Sequence, residues 1–271
     1  MKIIMGLLLT AIALCPSFGR AQEKMDSVAV DRPVKRATLY GVGTANVYDT
    51  YLSPQEYKGV DFRILRESTR TMKWADGRIS RQSLFQADVS YTHNRVDNNN
   101  TVAAMANWNW GLHYNFPIAH NFRLKAGALA DINGGFAYNL RNGNNPAQAR
   151  AYVNLDASVI AEWDVRIGRY PIGLRYQLNV PFMGVMFMPH YGESYYEIFS
   201  LGNSDGVVHF TSFHNQPSLR QLITADLPVR RLCKVRVGYM WDAQQARLND
   251  IKVHSYGHTF MVGFVKEFVP L

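Results

Sequence analysis

The 271-residue chain carries only two cysteines, Cys15 and Cys233, and Cys15 sits in an amino-terminal apolar stretch. An internal disulfide framework is therefore excluded once that stretch is removed, and Cys233 reads as a small outward-facing apolar residue rather than a nucleophile. No apolar run reaches the roughly 20 residues that a bilayer-crossing helix needs. Blocks of Lys and Arg are missing as well. The formal charge of +8 is dispersed among acidic residues, which excludes the usual signature of a nucleic-acid partner. After residue 21 there is no helical period, heptad, phosphate-cradling glycine loop or paired-cysteine motif, so no cofactor and no metal site is expected.

The beginning of the chain reads as an address. Lys2 precedes an apolar core from Ile3 to Cys15, followed by Pro16 and the small-residue site Gly19-Arg20-Ala21. Residues 1–21 are expected to be a cleaved secretory signal peptide. Leu14 and Pro16 around Cys15 fit a lipoprotein site poorly. Residues 22–36, polar and broken by Pro33, are expected to form a periplasmic lead-in to a single β-barrel domain over 37–271.

What the chain has in quantity is strict alternation. Between residues 101 and 116, Val102, Ala104, Ala106, Trp108, Trp110, Leu112, Tyr114 and Phe116 share one face, and Asn107, Asn109, His113 and Asn115 the other. A second run opposes Leu124, Ala126, Ala128, Ala130 and Ile132 to Arg123, Lys125, Asp131 and Asn133. Period two over this length means β-strand, because successive side chains leave a pleated strand on opposite sides. Strands in soluble domains usually run about 5–6 residues, whereas a tilted bilayer-crossing strand needs about 9–11. A soluble sandwich also alternates, but strand length, aromatics near strand ends and ionised residues opposite the apolar face favour a membrane barrel.

The pattern predicts an all-β, antiparallel up-and-down transmembrane β-barrel of about twelve strands. They fall at 37–48, 58–73, 79–94, 101–116, 121–139, 149–164, 170–186, 194–201, 206–213, 218–228, 231–243 and 252–268. Short turns at 75–78, 117–120, 166–169 and 228–230 are expected on the periplasmic side. Longer loops at 49–57, 95–100, 141–148, 189–193 and 244–250 are expected outside. The lumen is expected to hold Arg123, Lys125, Asp131, Arg150, Asp156, Glu162, Arg175, Lys234, Arg236 and Asp242. Mixed signs favour mutual pairing, a salt-bridged plug rather than a selective channel.

Catalytic motifs fare less well. Gly202-Asn203-Ser204-Asp205-Gly206 matches G-x-S-x-G, but that motif needs a strand turning into a helix, and the strand-like VVHFTSF follows. His190 and Ser194 would lie roughly 13 Å apart on a strand, too far for proton transfer. His254 and His258 are separated by the same span, which argues against a shared metal. Asn144 and Asn145 in one loop and His190 and Tyr191 in another are candidate binding residues, although Asn-Gly and Asn-Pro also simply make turns.

The segments LYGVG with DTYLSPQEYKG (39–59), RNGNNPAQAR (141–150), PHYGESYYEIFSLGN (189–203), PSLRQLITADLP (217–228) and SYGHTFMVGFVKEF (255–268) span nearly all of the chain after residue 36. Together they resemble a family of uncharacterised Gram-negative envelope proteins, domain of unknown function 3316. The resemblance implies a secreted, barrel-like envelope protein and carries over no catalytic role. The combined expectation is a barrel of the Gram-negative outer membrane in contact with outer-membrane lipid. It would act as a narrow, porin-like small-solute channel or as a structural envelope component. A barrel enzyme acting on membrane lipids and a soluble periplasmic β-sheet ligand-binding protein are the alternatives.

Overall fold

The computed structural model describes residues 33–168, 170–230 and 233–268. The expected signal peptide and most of the lead-in lie outside the described residues, as does the side chain of Cys233. The strands are β1 (Val34–Asp49), β2 (Ser53–Thr71), β3 (Ile79–Asn94), β4 (Asn100–Ala119), β5 (Phe122–Asn139), β6 (Ala147–Ile167), β7 (Tyr170–Phe187), β8 (Val208–Ser212), β9 (Leu219–Arg230), β10 (Cys233–Leu248) and β11 (Ile251–Phe268). A short helix, α1 (Tyr195–Phe199), precedes β8.

Each neighbouring pair is antiparallel, and β1 pairs with β11 from Val34↔Phe268 to Asp49↔Val253, which closes the sheet. The ring holds 10 strands, with β7 passing directly to β9. Closure leaves no open edge, the condition for burying a sheet in hydrocarbon. The chain enters and leaves at one end, called here the terminal end; the opposite end carries the loops.

Two of the expected twelve strands are corrected. Residues 194–201 contain α1, because Ser194 and Glu197 form a capping box: the Ser194 hydroxyl accepts from the Glu197 amide while the Glu197 carboxylate takes the Ser194 N–H. Phe187, Tyr195 and Phe199 then stack on one another. The strand foreseen at 206–213 exists as β8 but stands outside the ring, paired only with Met183–Phe187 of β7. It continues along β7 the line that β9 begins at Asn179↔Arg220.

Loop lengths also differ from expectation. Residues Thr50–Leu52 suffice between β1 and β2, and the β10–β11 hairpin turns on Asn249 and Asp250, both with positive φ. Only the β7–β9 connection at the loop end is long. At the terminal end, β4 runs through Pro117 to Ala119 and β9 through Pro228 to Arg230, so these residues extend strands instead of turning. Pro181 sits where the β6–β7 register slips between Leu155 and Asp156, a place where the missing N–H does least harm to the ladder.

The outward face is apolar around most of the wall. Trp108, Trp110, Ile132, Phe136, Val153 and Val159 are all exposed, while their chain neighbours Asn107, Asn109, Asp131, Asn133, Asn154 and Ser158 are buried inside. Close strand packing demands glycine at one point on β1: a Cβ on Gly43 would fall on the carbonyl of His258.

Candidate functional site

Among the described residues, the lumen is where charge is concentrated away from solvent. β2 alternates Asp61, Arg63, Leu65 and Glu67 inward, against Val60, Phe62 and Ile64 on its outer face. β9 and β10 direct Arg220, Asp226, Arg236 and Asp242 into the same space.

Two ion-pair chains cross it. In the first, Arg236 binds both oxygens of Asp226 at 2.5 and 2.9 Å and reaches Glu67 at 2.6 Å. Glu67 also receives Arg175 at 2.8 Å and Gln82 at 2.8 Å, and Lys35 completes the line at Asp226, 2.7 Å away. In the second, Arg63 lies between Asp242 at 2.8 Å, Asp88 at 3.4 Å and Asp61 at 3.5 Å. Asp242 holds Arg220 at 3.2 Å, which donates to Asn107 at 2.9 Å, and the Asn107 amide in turn meets Asp131. Arg150 and Asp49 pair at 3.2 Å nearer the loop end. Such pairs repay the desolvation of their charges only because both partners are present and hydrogen-bonded.

Apolar side chains share the interior. Ala37, Leu39, Leu65, Leu84, Leu222, Met240, Met261 and Val265 form a buried cluster inside the ring. A second cluster at the loop end joins Tyr51, Leu52, Met186, Met188, Ile251 and Val253. Between them a cavity of about 50 Å³ remains, bordered by Arg63, Asp88, Tyr152, Arg220 and Asp242. The terminal end opens into a wider vestibule of about 700 Å³.

The expected lumen residues divide between these levels. Asp131, Arg150, Asp156, Arg175, Arg236 and Asp242 are buried in the interior, whereas Arg123, Lys125, Glu162 and Lys234 line the vestibule. There Glu162 takes Lys125 at 2.8 Å and Arg123 at 3.3 Å, and Lys234 meets Glu267 at 2.8 Å. Asp156 Oδ1 and both amide atoms of Asn154 are buried without a hydrogen-bond partner among the described residues. Asp61, Arg63, Glu67, Asp88, Arg220 and Asp226 belong to the same network. The alternation of β2, β3 and β9 would have placed them on the inward face had it been followed residue by residue.

A family model matches residues 4–271. The chain belongs to the family described as Protein of unknown function (DUF3316). No curated protein matches it in sequence. Among solved structures, it is similar to the outer membrane protease OmpT from Escherichia coli, with a TM-score of 0.52 and 9% identity over 91% of this chain and 99% of that one. It also matches the transport unit of the autotransporter AIDA-I from Escherichia coli at a TM-score of 0.47 and 8% identity, covering 99% of this chain and 97% of that one. At such identities the likeness concerns the fold: a closed antiparallel barrel.

The loop candidates are not brought together. Asn144, His190 and Tyr191 are exposed, Asn145 adopts a left-handed turn conformation with φ 47°, and no hydrogen bond joins the two pairs among the described residues. The loop between β7 and β8 is instead tied down by tyrosines. Tyr51 donates to the Glu193 carbonyl at 2.7 Å, and the Ala149 N–H donates to the Tyr195 hydroxyl at 2.6 Å. Burial pushes the Tyr195 phenol up to about 12, and burial followed by the charges of Asp49 and Glu193 raises that of Tyr51. Ser194 is occupied as the α1 cap, and its bonds hold the Glu197 carboxyl below its ordinary value. In Gly202-Asn203-Ser204-Asp205-Gly206 the chain turns and continues into β8, with positive φ at both glycines. No group of three or more His, Cys, Asp and Glu side chains placed to hold a metal ion occurs among the described residues.

Proposed function

We propose that this chain is an outer-membrane β-barrel that stands sealed and serves as a structural component of the envelope rather than as an open pore. The carrying observation is the filled interior: two arginine–carboxylate chains bridge opposite walls on either side of an inner apolar cluster, and a second apolar cluster lies under the loops. The exposed Trp, Phe, Ile and Val of the outer face support the membrane setting, since water would not favour so continuous an apolar surface. In that setting the terminal end faces the periplasm and the loop end the exterior. An ion entering from the vestibule would meet leucines and methionines, where it loses hydration, before it reached Arg63.

Planar-bilayer recording of the purified, folded barrel tests this reading. Silence across a voltage sweep at molar salt is the expected result, and reproducible unitary steps from the wild-type protein would overturn the sealed state. Lipid hydrolysis has no supporting observation, because Ser194 is spent on capping α1.

A further inference from the structure

The outer surface is not uniform toward the loop end. Following the registered rungs across β10, β11, β1, β2 and β3, one level reads Phe260, Val42, Phe62 and Val89, all exposed. The next toward the loops reads His258, Thr44, Val60 and Tyr91, and the one above it Tyr256, Asn46, Lys58 and His93. Trp241 stacks on His258 with the rings 4° from parallel. The face therefore passes from hydrocarbon-like, through aromatic and histidine, to basic within a few residues.

At the top of this gradient Arg247 and Lys252 are directly opposite in the β10–β11 ladder, and both are exposed. Like charges opposed across a ladder destabilise it. Neither side chain meets a carboxylate among the described residues, although Asp250 lies in the same turn. Further round, a cup of about 740 Å³ is bordered by Lys58, His93 and Arg95 beside Gln55 and Glu56. Its ion pairs are loose: Lys58 lies 3.9 Å from Glu56, and His93 3.5 Å from Asp97, all well exposed. On the other half of the barrel, exposed apolar side chains continue to the rim: Tyr138 and Leu140 on β5 and beyond it, Val185 on β7, Val208 and Phe210 on β8.

We infer that this flank binds the phosphate-bearing headgroups of outer-leaflet lipids, with Arg247, Lys252, Lys58 and Arg95 as the cationic rim and the rungs below as the bed for acyl chains. The inference rests on the membrane reading proposed above. An anion bridging Arg247 and Lys252 removes the repulsion that the ladder otherwise carries. An amphiphile alone satisfies both halves of the gradient, since a free anion has nothing to place on Val42, Val60 and Phe62. The buried charge of the lumen is paired within the barrel, whereas Arg247 and Lys252 meet no carboxylate among the described residues.

The test reconstitutes the full barrel in phosphatidylcholine vesicles containing a minor share of phosphatidic acid, extracts it in mild detergent and counts retained lipids by mass spectrometry. Wild type is expected to enrich the phosphomonoester lipid at least fivefold over its share. The triple variant Lys58→Ser/Arg247→Ser/Lys252→Ser is expected to fall to parity, and Lys252→Ser alone to an intermediate value, with heat-modifiable gel migration retained. Parity for wild type, or undiminished enrichment in the triple variant, overturns the site. Displacement of the retained lipid by millimolar inorganic phosphate would also overturn it, by showing that the flank takes any free anion. Failure of wild type to float with these vesicles, or with vesicles of phosphatidylcholine alone, would instead sink the membrane reading itself.

Discussion

Arg236 and Glu67 are 169 positions apart in the chain and 2.6 Å apart in the lumen. The pair joins β10 to β2 across the ring, and Arg175 on β7 shares the same carboxylate. Three well-separated walls are thus tied to one acidic side chain, a geometry that only a closed sheet of this girth allows.

Removing Arg236 should therefore cost more than a surface pair would. Arg236→Ala strands Asp226 and half of Glu67 inside the barrel, with an expected loss of about 3–5 kcal/mol. Pairing it with Glu67→Gln should recover part of that loss, because residues of one network are not additive. Urea titration of vesicle-folded protein, followed by tryptophan fluorescence, gives both numbers.

The outward face makes a separate demand. Ala128 and Val159, exposed on β5 and β6, tolerate arginine poorly if hydrocarbon surrounds them: about 2–4 kcal/mol each near mid-bilayer, and close to nothing at His120 in the terminal-end turn. Equal tolerance at all three positions, read from folding yield into vesicles, would count against the lipid-facing assignment.

Leu65 and Leu84 test the seal. Each is buried within the inner cluster, so Leu→Ala should cost about 2–5 kcal/mol according to how far the neighbours relax. The double change Leu65→Ser/Leu84→Ser makes the barrier polar, and it should bring measurable ion conductance to a barrel that is silent as wild type.

Acid should loosen α1 before the barrel. Glu197 has its carboxyl lowered by the Ser194 backbone and hydroxyl bonds, so its contribution is complete above the usual glutamate value and disappears as pH falls through the lowered one. Hydrogen exchange at Tyr195–Ser200 should quicken over that window while exchange in β4 and β5 stays slow. Glu197→Gln should remove the pH dependence.

Much of this was legible in the chain. Trp108 and Trp110 outward with Asn107 and Asn109 inward follows from local alternation, as does the inward set Asp131, Asp156, Arg175, Arg236 and Asp242. The inward leucines were not legible in the same way: Leu39 and Leu84 sit on a face whose polarity their own strands leave open. The segment 194–201 misled because its aromatic run looks like a strand, whereas the S-x-x-E spacing of Ser194 and Glu197 is a helix-start signal that outweighs it.

The sequence by itself determined that this is a sheet protein with one oily and one charged side per strand, because side-chain alternation depends only on the pleat of the local backbone. Tertiary structure alone decided that ten strands close, that β8 is left beside them, and which arginine meets which carboxylate. Those outcomes depend on contacts between residues far apart in the chain, whose partners are chosen only once register and curvature bring opposite walls within reach.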